Sequence, residues 1–188
     1  MNTASAEERR AYFESIYDEH RRQVLAYCSR RTSSTEAADA CSETFLVVWR
    51  RLEEVPQPPH ALPYLYGIAA RVLANQRRAT VRRLRLGDKL RNLGTPPPSD
   101  PGALDACADR SRQVTAAVRR LKPTDREIVM LYAWEELPRP VIAEMMGMTK
   151  AAVDQRIHRS YQRLARALEK AEDRRHATQS VAEAGGTS

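Results

Sequence analysis

Residues Thr124–Leu168 read TDREIVMLYAWEELPRPVIAEMMGMTKAAVDQRIHRSYQRLARAL, and this stretch decides the fold. Its opening, Thr124-Asp125-Arg126-Glu127, has the spacing of a capping box, a hydroxyl followed three residues later by a carboxylate. The apolar run Ile128, Val129, Leu131 and Tyr132 follows and predicts a helix. A second, short helix is predicted over Arg139–Met146, after Pro138, with Ile142, Met145 and Met146 turned inward. Gly147 adopts left-handed backbone without a steric penalty, so the chain can turn there within a few residues. Thr149 is placed to cap the next helix. In that helix Val153, Ile157, Tyr161, Leu164 and Leu168 recur at helical spacing as one inward stripe. The opposite face carries Ala151, Ala152, Gln155, Arg156 and Arg159. This is the pattern of a helix-turn-helix. Small residues at a helix start let the backbone approach DNA, and Gln and Arg form paired hydrogen bonds with base edges in the major groove. Three amphipathic helices of an ordinary bundle share these stripes, so the distribution of charge has to decide between the two readings.

Between Arg71 and Arg91 stand eight Lys or Arg residues against the single acid Asp88, a balance of +7 that equals the formal net charge of the whole 188-residue chain. The remainder therefore sums to zero, and charge concentrated in one segment is the footprint of a polyanionic partner. Arg outnumbers Lys 27 to 4, which suits bidentate phosphate recognition. Hydrophobic residues form 42 % of the chain, enough for modest cores in one or two domains. No window approaches the roughly 20 apolar residues of a membrane span, so no membrane insertion is expected. Met1–Arg10 lacks the apolar core and cleavage site of a secretory signal, which makes a cytoplasmic location the expectation. Cys28, Cys41 and Cys107 are isolated, without Cys-x-x-Cys or Cys/His spacing, so neither a disulfide framework nor a metal site is indicated and no cofactor is expected.

The patterns predict an all-α chain of two small helical domains joined by a Pro-rich linker, the C-terminal one a helix-turn-helix. A first helix is predicted over residues 12–31, with Phe13, Ile16, Tyr17, Val24 and Tyr27 inward. Ser33 and Glu36 have capping-box spacing for a second, which runs to about Glu54 before Pro56, Pro58 and Pro59. A third starts near Ala61 and passes through Leu65, Ile68, Ala69, Val72 and Leu73 into the basic tract. Gly94–Gly102 contains Pro96, Pro97, Pro98 and Pro101 and reads as extended linker. A helix from about Asp109 to Leu121 opens the second domain on Val114, Val118 and Leu121. The expected division is an N-terminal extension over 1–10, a helical domain over 11–92, a linker over 93–108, the helix-turn-helix domain over 109–172 and a disordered tail over 173–188.

The second helix contains the run Phe45-Leu46-Val47-Val48-Trp49, which one stripe does not use up. Ala38, Cys41, Phe45, Val48 and Leu52 share a face, leaving Leu46, Val47 and part of Trp49 beside Asp39, Glu43 and Arg50. Bundle neighbours or a partner must cover the second face, and an apolar patch rimmed by acids suits a basic partner surface.

Asp39 through Trp49, the tract LPYLYGIAARVLANQRR from Leu62 to Arg78, and the stretch from Leu121 to Leu168 together resemble an extracytoplasmic-function sigma factor of the sigma-70 family, over about residues 12–170. The resemblance implies a factor that directs core RNA polymerase to promoters and starts transcription. It implies core-polymerase contacts at Asp39, Glu43, Phe45, Leu46 and Trp49. Promoter DNA at the −10 element falls to Arg71, Asn75, Arg77, Arg78, Arg82 and Arg83, with Asn75 as a polar reader. The −35 element falls to Thr149, Lys150, Ala151, Ala152, Gln155, Arg156 and Arg159. An anti-sigma factor is a further expected partner. The chain departs from the family pattern at Ser42, usually glutamine, at Tyr64, commonly tryptophan, and at Arg71, often asparagine. Pro138-Arg139-Pro140 replaces a hydroxyl cap and an acidic pair, and Asp154 stands where many relatives have lysine.

Two rival functions are set against this. A stand-alone helix-turn-helix transcriptional regulator accounts for the C-terminal domain but leaves the first ninety residues without a sensor pocket or dimerising heptads. A nucleic-acid enzyme lacks its chemistry: His20, His60, His158 and His176 are scattered, and Asp18, Glu19, Glu53 and Glu54 have no convergent partners, so the chain is expected to be no enzyme.

Overall fold

The computed structural model describes residues 6–88 and 106–184, and every regular element among them is helical. The helices gather into two compact units, each with its own core. Residues 93–105 of the expected linker lie outside the described residues.

The first unit is built from α1 (Ala6–Ser29), α2 (Ser34–Arg50), a short 3-10 turn (Leu52–Glu54) and α3 (Ala61–Asp88). The Ser33–Glu36 capping box starts α2, where the Ser33 backbone N–H and hydroxyl both donate to Glu36, the hydroxyl at 2.9 Å. Thr32 also donates to Glu36, and the two hydroxyls, Thr32 first, pull its carboxyl below the usual range. Val24, Tyr27, Phe45, Val48, Leu65, Ala69 and Val72 fill the core, and Tyr27 stacks on Tyr66 with centroids 4.8 Å apart. Thr44 is buried without penalty because its hydroxyl donates to the Ala40 carbonyl at 2.7 Å. Cys28 and Cys41 are buried thiols, and burial raises the pKa of Cys41.

Three expectations shift here. α1 begins at Ala6, so residues 6–10 of the expected extension are helical. α2 stops at Arg50 rather than near Glu54, because the Arg51 N–H closes on the Val47 and Val48 carbonyls and the 3-10 turn then folds Leu52 into the core. Its buried face runs through Ala37, Ala40 and Thr44, while Ala38 is exposed.

The second unit is built from α4 (Ala106–Arg119), α5 (Pro123–Ala133), α6 (Arg139–Met146) and α7 (Lys150–Ala184). α7 packs its inward stripe against all three other helices. Val118, Ile128, Leu131, Ile142, Val153 and Ile157 are buried together, each such side chain contributing on the order of 1.5–3 kcal/mol when fully removed from water. Tyr161, assigned to the stripe from spacing, is 43 % exposed. Thr124 does not cap α5. Pro123 occupies the first turn with Lys122 before it, since proline is pre-set for helical φ and lacks the N–H that would go unpaired there. α4 starts at Ala106, three residues ahead of the expected Asp109. The segment read as a disordered tail is helical as far as Ala184: over 173–184 it has three Ala and two Arg, good helix formers, and it meets no glycine until Gly185.

Gly147 closes α6 at φ 62°, ψ 38°, the left-handed cap expected of it, and Thr149 Oγ1 accepts from the Ala152 N–H at 3.2 Å to open α7. A Cβ at Gly147 would meet no atom within 4 Å, so only backbone strain opposes a side chain. Gly147→Ala is therefore expected to destabilise the second unit by about 1–2 kcal/mol, and Gly147→Asn by less, as measured by urea unfolding.

Candidate nucleic-acid interface

α7 presents three distinct faces besides its buried stripe. The outermost holds Ala151, Gln155, His158, Arg159 and Gln162, all exposed and recurring at helical spacing. Gln162 Nε2 lies 3.0 Å from His158 Nε2, and the Arg159 Nε donates to the Gln155 carbonyl at 3.3 Å. Asp154, Gln155, His158 and Arg159 line one shallow, open concavity on this surface. Thr149 and Lys150 stand at the helix start, and Ala152 is half-buried on one flank.

The two flanks hold ion pairs within the unit. On one side Asp154 accepts from Arg139 of α6 at 3.3 Å and from Lys150 at 3.2 Å. Arg139 also lies over the Tyr132 ring, 5.1 Å from its centroid, and donates to the Tyr132 hydroxyl at 3.3 Å. That hydroxyl first, and Asp154 after it, raises the Arg139 pKa further. Asp154 is thus turned aside, with its charge answered by two cations before any phosphate approaches. On the other side Arg156 Nη1 sits 2.6 Å from Asp125 Oδ1, and Arg163 Nη1 sits 3.6 Å from Asp125 Oδ2. Arg156 was expected to face DNA; the structure pairs it with a carboxylate of α5, on the flank about 100° round the helix from Gln155. His158, which the sequence places beside Arg159 as a phosphate or surface contact, is on the outward face. Gln162 joins it although the residue pattern did not single it out; its only signal was spacing of three and four from Arg159 and His158.

In the first unit the basic tract separates in the same manner. Arg71, Asn75, Arg78 and Arg82 recur at intervals of four, three and four and are all exposed, forming one stripe along α3. Arg78 donates to the Asn75 side-chain oxygen, which ties the two together. Arg83 is exposed but lies farther round the helix. Arg77 leaves the stripe: its Nη2 donates to the Arg31 carbonyl at 2.9 Å and satisfies a backbone acceptor just past the end of α1. Arg31 in turn covers the Tyr27 ring at 3.5 Å.

The exposed face of α2 carries Asp39, Glu43 and Leu46 in a row, with Trp49 at its edge. Leu46 is 56 % and Trp49 40 % exposed. Glu43 accepts from Gln76 of α3 at 3.3 Å. Phe45 does not belong to this face. It is buried at 3 % exposure with its ring 4.8 Å from that of Tyr17, because a residue one position from Leu46 points about 100° away.

Removing one charged donor to a carbonyl and removing a solvated cation have different signatures. Arg77→Ala is expected to lower the stability of the first unit by about 1 kcal/mol in thermal unfolding, and Arg82→Ala to leave it within about 0.5 kcal/mol.

Comparison with known proteins follows this division of the chain. The model for sigma-70 region 2 matches residues 16–83, and the model for sigma-70 region 4 matches residues 111–170. The chain is 30 % identical over 126 residues to the protein named "Probable RNA polymerase sigma factor RfaY" of Xanthomonas campestris pv. campestris, an overlap of 65 % of this chain and 31 % of that protein. The chain therefore matches about a third of the length of that relative. Among solved structures, the sigma factor RpoE in complex with the anti-sigma factor NepR from Bartonella quintana is similar with a TM-score of 0.64 at 18 % identity, covering 84 % of this chain and 96 % of that one. CnrH in complex with the cytosolic domain of CnrY is similar with a TM-score of 0.59 at 20 % identity, covering 84 % and 88 %. At such identities the likeness to the solved structures is one of fold. With region 2 and region 4 matched in order, each on its own helical unit, this chain belongs to the sigma-70 family, in keeping with the extracytoplasmic-function resemblance of its sequence.

Proposed function

We propose that this chain is an RNA polymerase sigma factor that directs core polymerase to promoters and initiates transcription. The observation that carries the reading is the pairing of two separate helical units, matched to regions 2 and 4, each with an exposed polar helix face suited to DNA. In the first unit Asp39, Glu43, Leu46 and Trp49 of α2 dock on core polymerase, where acids around an apolar centre complement a basic surface. Arg71, Asn75, Arg78, Arg82 and Arg83 of α3 engage the −10 element, the arginines on phosphates and Asn75 on an unstacked base. In the second unit the start of α7, with Thr149, Lys150, Ala151 and Ala152, approaches the −35 element, and Gln155 and Arg159 face the base edges.

Each unit alone binds DNA weakly. Core polymerase sets their separation, so affinity comes from engaging two promoter elements and two polymerase surfaces together. The work of the chain is recognition rather than covalent chemistry, and its place is the cytoplasm, with the polymerase and the DNA. An anti-sigma factor covers these surfaces when transcription is held off. This is supported by the fold shared with RpoE and CnrH, whose solved structures contain NepR and CnrY respectively. The exposed face on α2 also speaks against a stand-alone regulator, which has no use for it.

The test combines the purified chain with core RNA polymerase and maps transcript starts on fragmented genomic DNA. Starts that share two spaced upstream elements are the expected result. Leu46→Glu is expected to weaken core binding at least tenfold, about 1.4 kcal/mol, while the fold is retained, because Leu46 is already largely in solvent. No binding to core, with DNA bound by the chain alone, would overturn the proposal in favour of the regulator.

A further inference from the structure

We infer that Asp125 is a positioning residue for the DNA-facing helix, and that Arg156 holds α7 in register rather than reading a base. The inference rests on the reading of α7 as the helix that meets promoter DNA.

Three observations carry it. The Asp125 side chain is 10 % exposed and sits in the first turn of α5, so its carboxylate has little water to fall back on. Its two oxygens each take a different arginine of α7, Oδ1 from Arg156 at 2.6 Å and Oδ2 from Arg163 at 3.6 Å. Those arginines stand seven residues apart, about two turns, on one flank of the helix.

A carboxylate that grips α7 at two heights opposes both sliding and rotation. A one-residue slip moves a helix by about 1.5 Å and turns it by about 100°, enough to carry Gln155 and Arg159 off the outward face. If Arg156 swung out to a guanine edge, the nearly buried Asp125 would be left with its longer contact alone, and an unpaired buried charge is strongly unfavourable. The guanidinium is also the side chain suited to this role, since it keeps its charge and offers several donors in a fixed plane. The ion pair therefore sits behind the readers and fixes the angle at which they meet the groove.

The experiment uses the full-length chain with core RNA polymerase and a pool of DNA randomised at the upstream element. It compares the wild type with Asp125→Asn, Asp125→Glu, Arg156→Ala and the double variant Asp125→Asn/Arg156→Ala. Affinity and base preference are measured at a temperature where circular dichroism shows each protein folded. Asp125→Asn and Arg156→Ala are each expected to weaken upstream-element binding by roughly two- to hundredfold, the span of coupling between contacting residues. The same base preferences should persist at every position, the double variant should be no weaker than the worse single one, and Asp125→Glu should recover part of the loss. If Asp125→Asn fails to fold, Arg156→Lys carries the same comparison, with partial loss and unchanged preferences expected.

Relaxed preference at one base pair in Arg156→Ala, with wild-type preference in Asp125→Asn, would identify Arg156 as a reader and overturn the inference. Unchanged affinity of folded Asp125→Asn would also overturn it, by reducing the pair to a stability role. A wild-type complex that initiates transcription but selects no upstream element would overturn this inference and the role of α7 while leaving core recruitment standing.

Discussion

Burial of the α7 stripe against α4, α5 and α6 is the constraint on which the second unit rests. The unit is small, and its helices α5 and α6 are too short to hold together in water without packing. Once Val153 and Ile157 are committed to the core, the helical period assigns every other position of α7 to a direction. Gln155 and Arg159 must face outward, Asp154 must fall toward α6, and Arg156 must fall toward α5. The chemistry of the surface is therefore a consequence of which apolar residues are buried.

The same logic divides the many arginines into two populations. Some are used within the protein, where they finish helix ends or pair with acids. Arg77 serves the Arg31 carbonyl, Arg126 donates to the Leu121 carbonyl at 3.2 Å and to that of Arg119, and Arg156 answers Asp125. Others, such as Arg71 and Arg82, remain in solvent, where a cation is available to a phosphate, and Arg159 is exposed with one hydrogen bond to the Gln155 carbonyl of its own helix. Bulk charge describes the sum of these populations, whereas an interface draws on the second. Asp154 illustrates the reverse case: a negative residue is compatible with the DNA-binding role proposed for α7 when Arg139 and Lys150 already surround it.

In the first unit, the apolar surplus of α2 is shared between inside and outside. Phe45 joins Phe13 and Tyr17 in an edge-to-face aromatic cluster, and Trp49 meets Phe13 at 5.2 Å while keeping part of its ring in water. Leu46 is largely in solvent and stands at helical spacing from Asp39, Glu43 and Arg50. A surface built this way combines a rigid aromatic edge with a solvent-facing aliphatic centre, which is the composition of a docking patch.

The amino-acid sequence by itself determined the helices and the turn between them, because these depend on local rules. The Ser33–Glu36 box, the left-handed Gly147 and the Thr149 cap each act over four residues or fewer and are found as expected, and the apolar stripes are found except at Ala38 and Tyr161, which are exposed. The division into two helical units and the family motifs were legible for the same reason. Tertiary structure decided which polar residues on those helices are free to act. Arg77, Arg156 and Phe45 look available in a linear reading, since a charged or aromatic residue carries no local mark of its partner. Their partners lie 46 residues away for Arg77 and 31 for Arg156, with Tyr17 and Phe13 on another helix for Phe45. Only packing brings such groups within a few ångströms: it buries Phe45, and it pairs Arg77 and Arg156 with internal acceptors while Arg77 stays exposed and Arg156 half-exposed.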